Sequence, residues 1–160
     1  MKKNILFVCT GNSCRSVMAE GLFKHLVESG PSNGFTVGSA GVGALDGYPA
    51  SQETVKVMKE HGIDVSEHRS RHLTAAMARA AEKIFVMEQM HRDAILESWP
   101  DMGEKVHLLT EFASDEKQRS MELDIPDPIR MPDGFYKNVF RVILECVERI
   151  AEDMGIKKES

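Results

Sequence analysis

The chain has 160 residues, 42% hydrophobic and 28% charged, the balance of one globular domain (1–160), which excludes a disordered or fibrous chain. Lys and Arg number 20 against 25 Asp and Glu, a net charge of −5, and no basic run offers a surface for nucleic acid or an anionic membrane. No apolar run has the length of a signal peptide or a membrane span, and three cysteines without paired spacing suit a reducing cytoplasm, not a disulfide framework.

Residues 5–8 (Ile-Leu-Phe-Val) form a short apolar run bounded by polar residues, the pattern of a strand buried on both faces. The run breaks at Gly11-Asn12, and Met18, Ala19, Leu22, Phe23 and Leu26 then recur at helical spacing. Residues 29–34 read as a turn, 35–37 as a short strand, and 38–43, rich in small residues, as a loop. Pro49 and Ser51 open a second helix that carries Val55, Val57 and Met58 and ends at Gly62. Thr74 is placed to cap a short helix through Arg79, residues 83–87 read as a buried strand, and 89–98 as a helix stopped by Pro100. Residues 105–109 give the last strand, 115–121 a polar loop, and 134–154 a final helix with Phe135, Val139, Val142, Ile143, Cys146, Val147 and Ile150 on one stripe. Strands alternating with helices predict a doubly wound parallel sheet, helices on both faces, with ligands at the carboxyl ends of its strands.

Cys9 stands at such an end, and the stretch from Cys9 to Arg15-Ser16 is the centre of the sequence. The first N–H groups of a helix have no intrahelical partner, and the helix dipole adds positive charge there. A loop that turns its own N–H groups the same way cradles an anion. The five residues between Cys9 and Arg15 suffice to wrap one tetrahedral oxyanion, with Gly11 easing the turn. Cys9 would lie beneath it, its thiolate favoured by the same field, and the Arg15 guanidinium would grip its oxygens. Farther on, Pro126 and Pro128 flank Asp127 and restrict the backbone around it. A carboxylate held rigidly over an oxyanion is what general acid catalysis requires.

The segment Val8-Cys9-Thr10-Gly11-Asn12-Ser13-Cys14-Arg15-Ser16 resembles the phosphate loop of the low-molecular-weight protein tyrosine phosphatases. Ser39-Ala40-Gly41, residues 62–71 and Asp127-Pro128 extend the resemblance over nearly the whole chain. It implies a three-layer, flavodoxin-like fold with four parallel strands. It also implies a phosphocysteine mechanism without cofactor or metal: Cys9 as nucleophile, Arg15 as phosphate ligand and Asp127 as general acid. Thr10, Gly11, Asn12, Ser13, Cys14 and Ser16 would bind substrate, with Ser16 hydrogen-bonded to the Cys9 sulfur. Ser39 and His68 would support Asn12. Cys14 is either a packed small residue or the partner of Cys9 in a reversible disulfide. His68 and His72, four apart, would suit a metal only on a helix and lack a third ligand.

Substrate choice is less sharply marked. Val17 follows the loop serine where most relatives carry Pro. Ile129 stands where many tyrosine-specific members place an aromatic wall, with Tyr48 and Tyr136 as substitutes, and Leu45 is the second specificity position. Residues 43–47 resemble bacterial members that act on tyrosine kinases of exopolysaccharide export, so the expected partner is a phosphorylated protein such as such a kinase. Protein phosphotyrosine is the expected substrate and phosphoarginine the alternative, since the arginine phosphatases carry Thr at the position of Ser13. Thioredoxin-coupled arsenate reduction is disfavoured, because residues 85–91 lack the shuttle cysteines. A non-catalytic phosphate-binding module is disfavoured by the presence of nucleophile, arginine and acid together.

Overall fold

Strand β1, Lys3–Cys9, lies at the middle of the sheet. The structure, a computed structural model, describes residues 2–29, 34–112 and 124–156. Residues 30–33 of the expected turn and the polar stretch 115–121 lie outside the described residues. Among the described residues, β1, β2 (Phe35–Gly41), β3 (Lys83–Val86) and β4 (Val106–Leu108) form one parallel sheet in the order β2-β1-β3-β4. This is the doubly wound α/β arrangement, and strand order reverses between β1 and β3, where such sheets open a crevice at their carboxyl edge.

Because β1 and β3 are buried on both faces, their side chains feed two cores. Ile5, Phe7 and Phe85, with Met87 just past β3, join the core built on helices α1 (Arg15–Ser29), α2 (Gln52–Glu60) and α5 (Asp133–Asp153). Leu6, Val8, Ile84 and Val86 join the other, with Ala78 of α3 (Ala75–Ala80) and Ile95 of α4 (Gln89–Ser98). The helix starts follow the expected chemistry. Ser51 and Thr74 accept the backbone N–H groups of Thr54 and Met77, and Gly62 takes a positive φ of 76° just beyond α2. Pro100 ends α4 by opening a 3-10 turn, Pro100–Lys105.

Two expectations need correction. The segment 38–43 is not all loop, because β2 continues to Gly41 in register with β1, Leu6 opposite Gly38 and Cys9 opposite Gly41. Small residues there lower strand propensity, yet close approach demands them. A Cβ on Gly41 would come within 2.3 Å of the Thr10 carbonyl oxygen, and one on Gly38 within 2.9 Å of Arg71 Nη2. Tyr136 offers no exposed ring, being only 1% accessible in the α1–α5 core.

The contact at Gly41 is with backbone and cannot relax cheaply. Gly41→Ala should cost about 1–3 kcal/mol of stability, a fall in melting temperature of roughly 5 °C. An unchanged melting temperature would show that β2 and the loop after β1 are not packed as described.

Candidate active site

The loop between β1 and α1 is shaped by where its carbonyls go. Cys9 O accepts from Val42 N at 2.9 Å, Thr10 O from Gly43 N at 3.0 Å, Ser13 O from Ser51 N at 3.0 Å and Cys14 O from Met18 N at 3.0 Å. Asn12 O accepts from His68 Nε2 at 2.9 Å. In a trans peptide the carbonyl of one residue points away from the N–H of the next. Oxygens drawn outward to these partners therefore turn the N–H groups of Thr10, Gly11, Ser13, Cys14 and Arg15 to the opposite side. That makes a concave row of donors running into the first turn of α1, an oxyanion cradle.

The tight turn falls on Asn12, at φ 53°, and not on Gly11, where an added Cβ would meet only Ser13 Oγ at 3.7 Å. Asn tolerates this left-handed conformation better than most residues, and here its side chain is held from both ends. Nδ2 donates to Ser16 Oγ at 2.8 Å and to Ser39 Oγ at 2.9 Å, and Oδ1 accepts from Arg71 N at 3.0 Å. Asn12, Ser16 and Ser39 are fully buried. Ser16 Oγ also lies 2.9 Å from Cys9 Sγ, so its hydroxyl, already accepting from Asn12, is set to donate to the sulfur.

Arg15 is 2% exposed, and a buried guanidinium demands partners. Its Nη1 donates to the Ile125 carbonyl at 2.8 Å and lies 3.1 Å from Glu88 Oε2, while Nη2 lies 3.7 Å from Asp127 Oδ2. Asp127 remains 44% exposed, with Oδ1 accepting from Ile129 N at 3.0 Å. Asp127, distant in the chain from the loop that carries Cys9 and Arg15, thus lies beside Arg15 at the carboxyl edge of the sheet.

Glu88 and His91 belong to this neighbourhood and were missed by sequence reasoning. Both follow β3, and the register that sets Val8 beside Val86 carries Thr10 towards Glu88. His91 is wholly buried, its Nε2 2.8 Å from Thr10 Oγ1. The Glu-x-x-His spacing at a helix start was the available signal, a variant of the capping box.

The remaining candidates sort by burial. Cys14 is buried against the Tyr136 hydroxyl at 3.7 Å and Ser51 Oγ at 3.4 Å. Burial, with Cys14 beside it, pushes the Tyr136 hydroxyl pKa up, keeping it protonated. Cys146 sits in the core, its thiol pushed up to about 12 by burial. His68 and His72 share no helix: the first reaches Asn12 O, the second Ala44 O at 3.2 Å. Leu45 and Ile129 are exposed, 70% and 50%, on the loops that follow β2 and Asp127. Val17 is buried within α1.

Comparison with known proteins agrees with this geometry. The family model for low molecular weight phosphotyrosine protein phosphatases matches residues 4–160. A probable low molecular weight protein-tyrosine-phosphatase, EpsP, of Ralstonia nicotianae is 40% identical over 149 residues, 93% of this chain and 91% of that protein. The protein-arginine-phosphatase of Geobacillus stearothermophilus is 36% identical over 154 residues, 96% of this chain and 97% of its own. The crystal structure of a low molecular weight protein tyrosine phosphatase from T. tengcongensis superposes with a TM-score of 0.85 at 34% identity, covering 95% of this chain and 99% of that one. The chain belongs to the low molecular weight phosphotyrosine protein phosphatase family.

Proposed function

We propose that the protein hydrolyses phosphotyrosine in proteins, with Cys9 as nucleophile, Arg15 as phosphate ligand and Asp127 as general acid and base. The observation that carries this reading is the meeting of Cys9, Arg15 and Asp127 around one row of backbone donors. In the first step Cys9 Sγ attacks phosphorus in line. The S–P bond forms as the P–O bond breaks, and the leaving phenolic oxygen takes the Asp127 proton. In the second step water attacks phosphorus and gives its proton to Asp127. The S–P bond then breaks, freeing phosphate and restoring the thiolate.

Physical chemistry supports each role. The Ser16 hydroxyl, in the first turn of α1, offers a hydrogen bond to the sulfur. Backbone donors and Arg15 are fixed before substrate arrives, so little reorganisation accompanies charge movement to the equatorial oxygens. Asp127, with Oδ2 3.7 Å from Arg15 Nη2, is placed to hand a proton to the leaving oxygen. Thr10, Gly11, Ser13 and Cys14 contribute cradle donors, while Asn12, Ser39 and His68 keep the loop in shape. Leu45 and Ile129 offer apolar surface to an aromatic ring, a task for which buried Tyr136 is unsuited.

The free thiols of Cys9, Cys14 and Cys146 suit a reducing compartment such as the cytoplasm. No helix among the described residues is long and apolar enough to cross a membrane. We infer a phosphorylated protein as partner, a bacterial tyrosine kinase being the expected one from the resemblance at residues 43–47. Phosphoarginine is the second reading, favoured by the small Ser13, the aliphatic Ile129 and the likeness to an arginine phosphatase.

Cys9→Ser should abolish turnover yet retain phosphate-analogue binding by calorimetry; a fully active variant would remove Cys9 as nucleophile. Asp127→Asn should slow alkyl-like, poor leaving groups by about 10²–10⁴-fold and nitrophenolate much less, read from kcat/KM across a leaving-group series. Equal losses across that series would remove Asp127 from the acid role. On matched peptides, phosphotyrosine should exceed phosphoarginine in kcat/KM by about tenfold, a difference of 1.4 kcal/mol in transition-state binding; the reverse order would establish the second reading.

A further inference from the structure

The first turn of α4 touches the cradle at two points, and neither contact has a role in the chemistry above. Glu88 N donates to His91 Nδ1 at 3.1 Å, so Nδ1 is the unprotonated nitrogen of a neutral ring and Nε2 carries the hydrogen. That assignment follows from the network, since a backbone N–H can only donate. Nε2–H then donates to Thr10 Oγ1 at 2.8 Å. The Glu88 carboxylate lies 3.1 Å from Arg15 Nη1 and 3.7 Å from His91 Nε2. Thr10 is the first residue of the cradle and Arg15 the last, so residues 88–91 grip both ends from the start of α4.

We propose that His91 is a positioning residue for phosphoryl transfer: as a neutral imidazole it pins the Thr10 side chain, and with Glu88 it sets the span between the nucleophile's end of the loop and Arg15. A protonated ring could not accept from Glu88 N and would place a second cation against Arg15, breaking the brace. The surroundings keep it neutral. Burial first, then Arg15, draws its pKa down from 6.5 to about 4, against the upward pull of Asp124 and Asp127. Glu88, 3.7 Å away, is the other carboxylate facing it. His91 touches neither substrate nor sulfur, and acts through Thr10 and Arg15.

The proposal rests on the phosphatase reading for its rate effects, but oxyanion binding tests it separately. Purified wild type, His91→Ala, His91→Gln, Thr10→Val and the double variant H91A/T10V are compared by tungstate calorimetry and by steady-state kinetics on an aryl phosphate series. His91→Ala and Thr10→Val should each weaken tungstate binding and lower kcat about tenfold, the effect of one lost buried hydrogen bond. The double variant should be no worse than the weaker single, because both remove the same contact. His91→Gln, whose amide can still donate to Thr10, should recover most of the loss. Leaving-group dependence should stay that of wild type, which separates His91 from Asp127. Nitrogen-15 spectra should show His91 neutral, with its proton on Nε2, from about pH 5 upward.

Multiplicative losses in the double variant, no rescue by Gln, or a ring that titrates near its ordinary value would each overturn the brace. Tungstate results as expected in a protein that cleaves no phosphoester would remove the phosphatase reading and leave the brace standing. Failure of wild type to bind tungstate would overturn both.

Discussion

A guanidinium taken almost wholly out of water is the constraint from which the rest of the molecule follows. The cost of burying the Arg15 charge is offset only by close anionic or dipolar partners. The fold supplies them from two directions: Glu88 at the cap of α4, and Asp127 with the Ile125 carbonyl from the segment before α5. Neither segment is near Arg15 in sequence. The charge thus draws together three crossings of the carboxyl edge, and the arginine fork is preset for an oxyanion. In this arrangement Glu88 is the close partner and Asp127 the looser, more exposed one. That difference suits the acid–base role proposed for Asp127.

The second constraint is the left-handed turn at Asn12. A non-glycine residue there carries a modest conformational cost. Three side-chain hydrogen bonds and the His68 contact to its carbonyl offset it. The His68 contact and the Val42, Gly43 and Ser51 amides occupy the outward carbonyls, and so fix which way the peptide planes face. Anion affinity is therefore a property of how the loop's back is tied down. Small residues in β2 serve the same end, since Gly41 lets that strand lie against Thr10.

The parts of the site written in one short stretch were legible in the sequence: strand, turn, cysteine, arginine and helix within residues 5–26. Asp127 was legible because two prolines mark it. The parallel α/β sheet followed from alternating apolar runs, and the observed parallel pairing of four strands agrees. What stayed hidden depends on register between distant strands. Glu88 and His91 read as polar residues opening an ordinary helix until β3 is laid beside β1. The extension of β2 through Gly38–Gly41 was hidden because propensity argues for a loop, while packing against Thr10 and Arg71 requires the strand. The turn residue was misassigned to Gly11 for a related reason: glycine is the usual left-handed residue, but only the partners of Asn12 show why asparagine takes that place. Tyr136 looked available until the stripe of α5 turned it inward against Cys14.

Every proposed role serves one event, transfer of a phosphoryl group from substrate to the sulfur of Cys9. The most direct measurement is rapid acid quench during turnover of para-nitrophenyl phosphate, followed by peptide mass spectrometry under conditions that preserve a thiophosphate bond. The Asp127→Asn variant would be used to slow hydrolysis of the intermediate. The expected result is one phosphoryl group, transient and located on Cys9, forming with the burst of nitrophenolate. Steady turnover with no covalent species, or a phosphoryl group on any other residue, would contradict it.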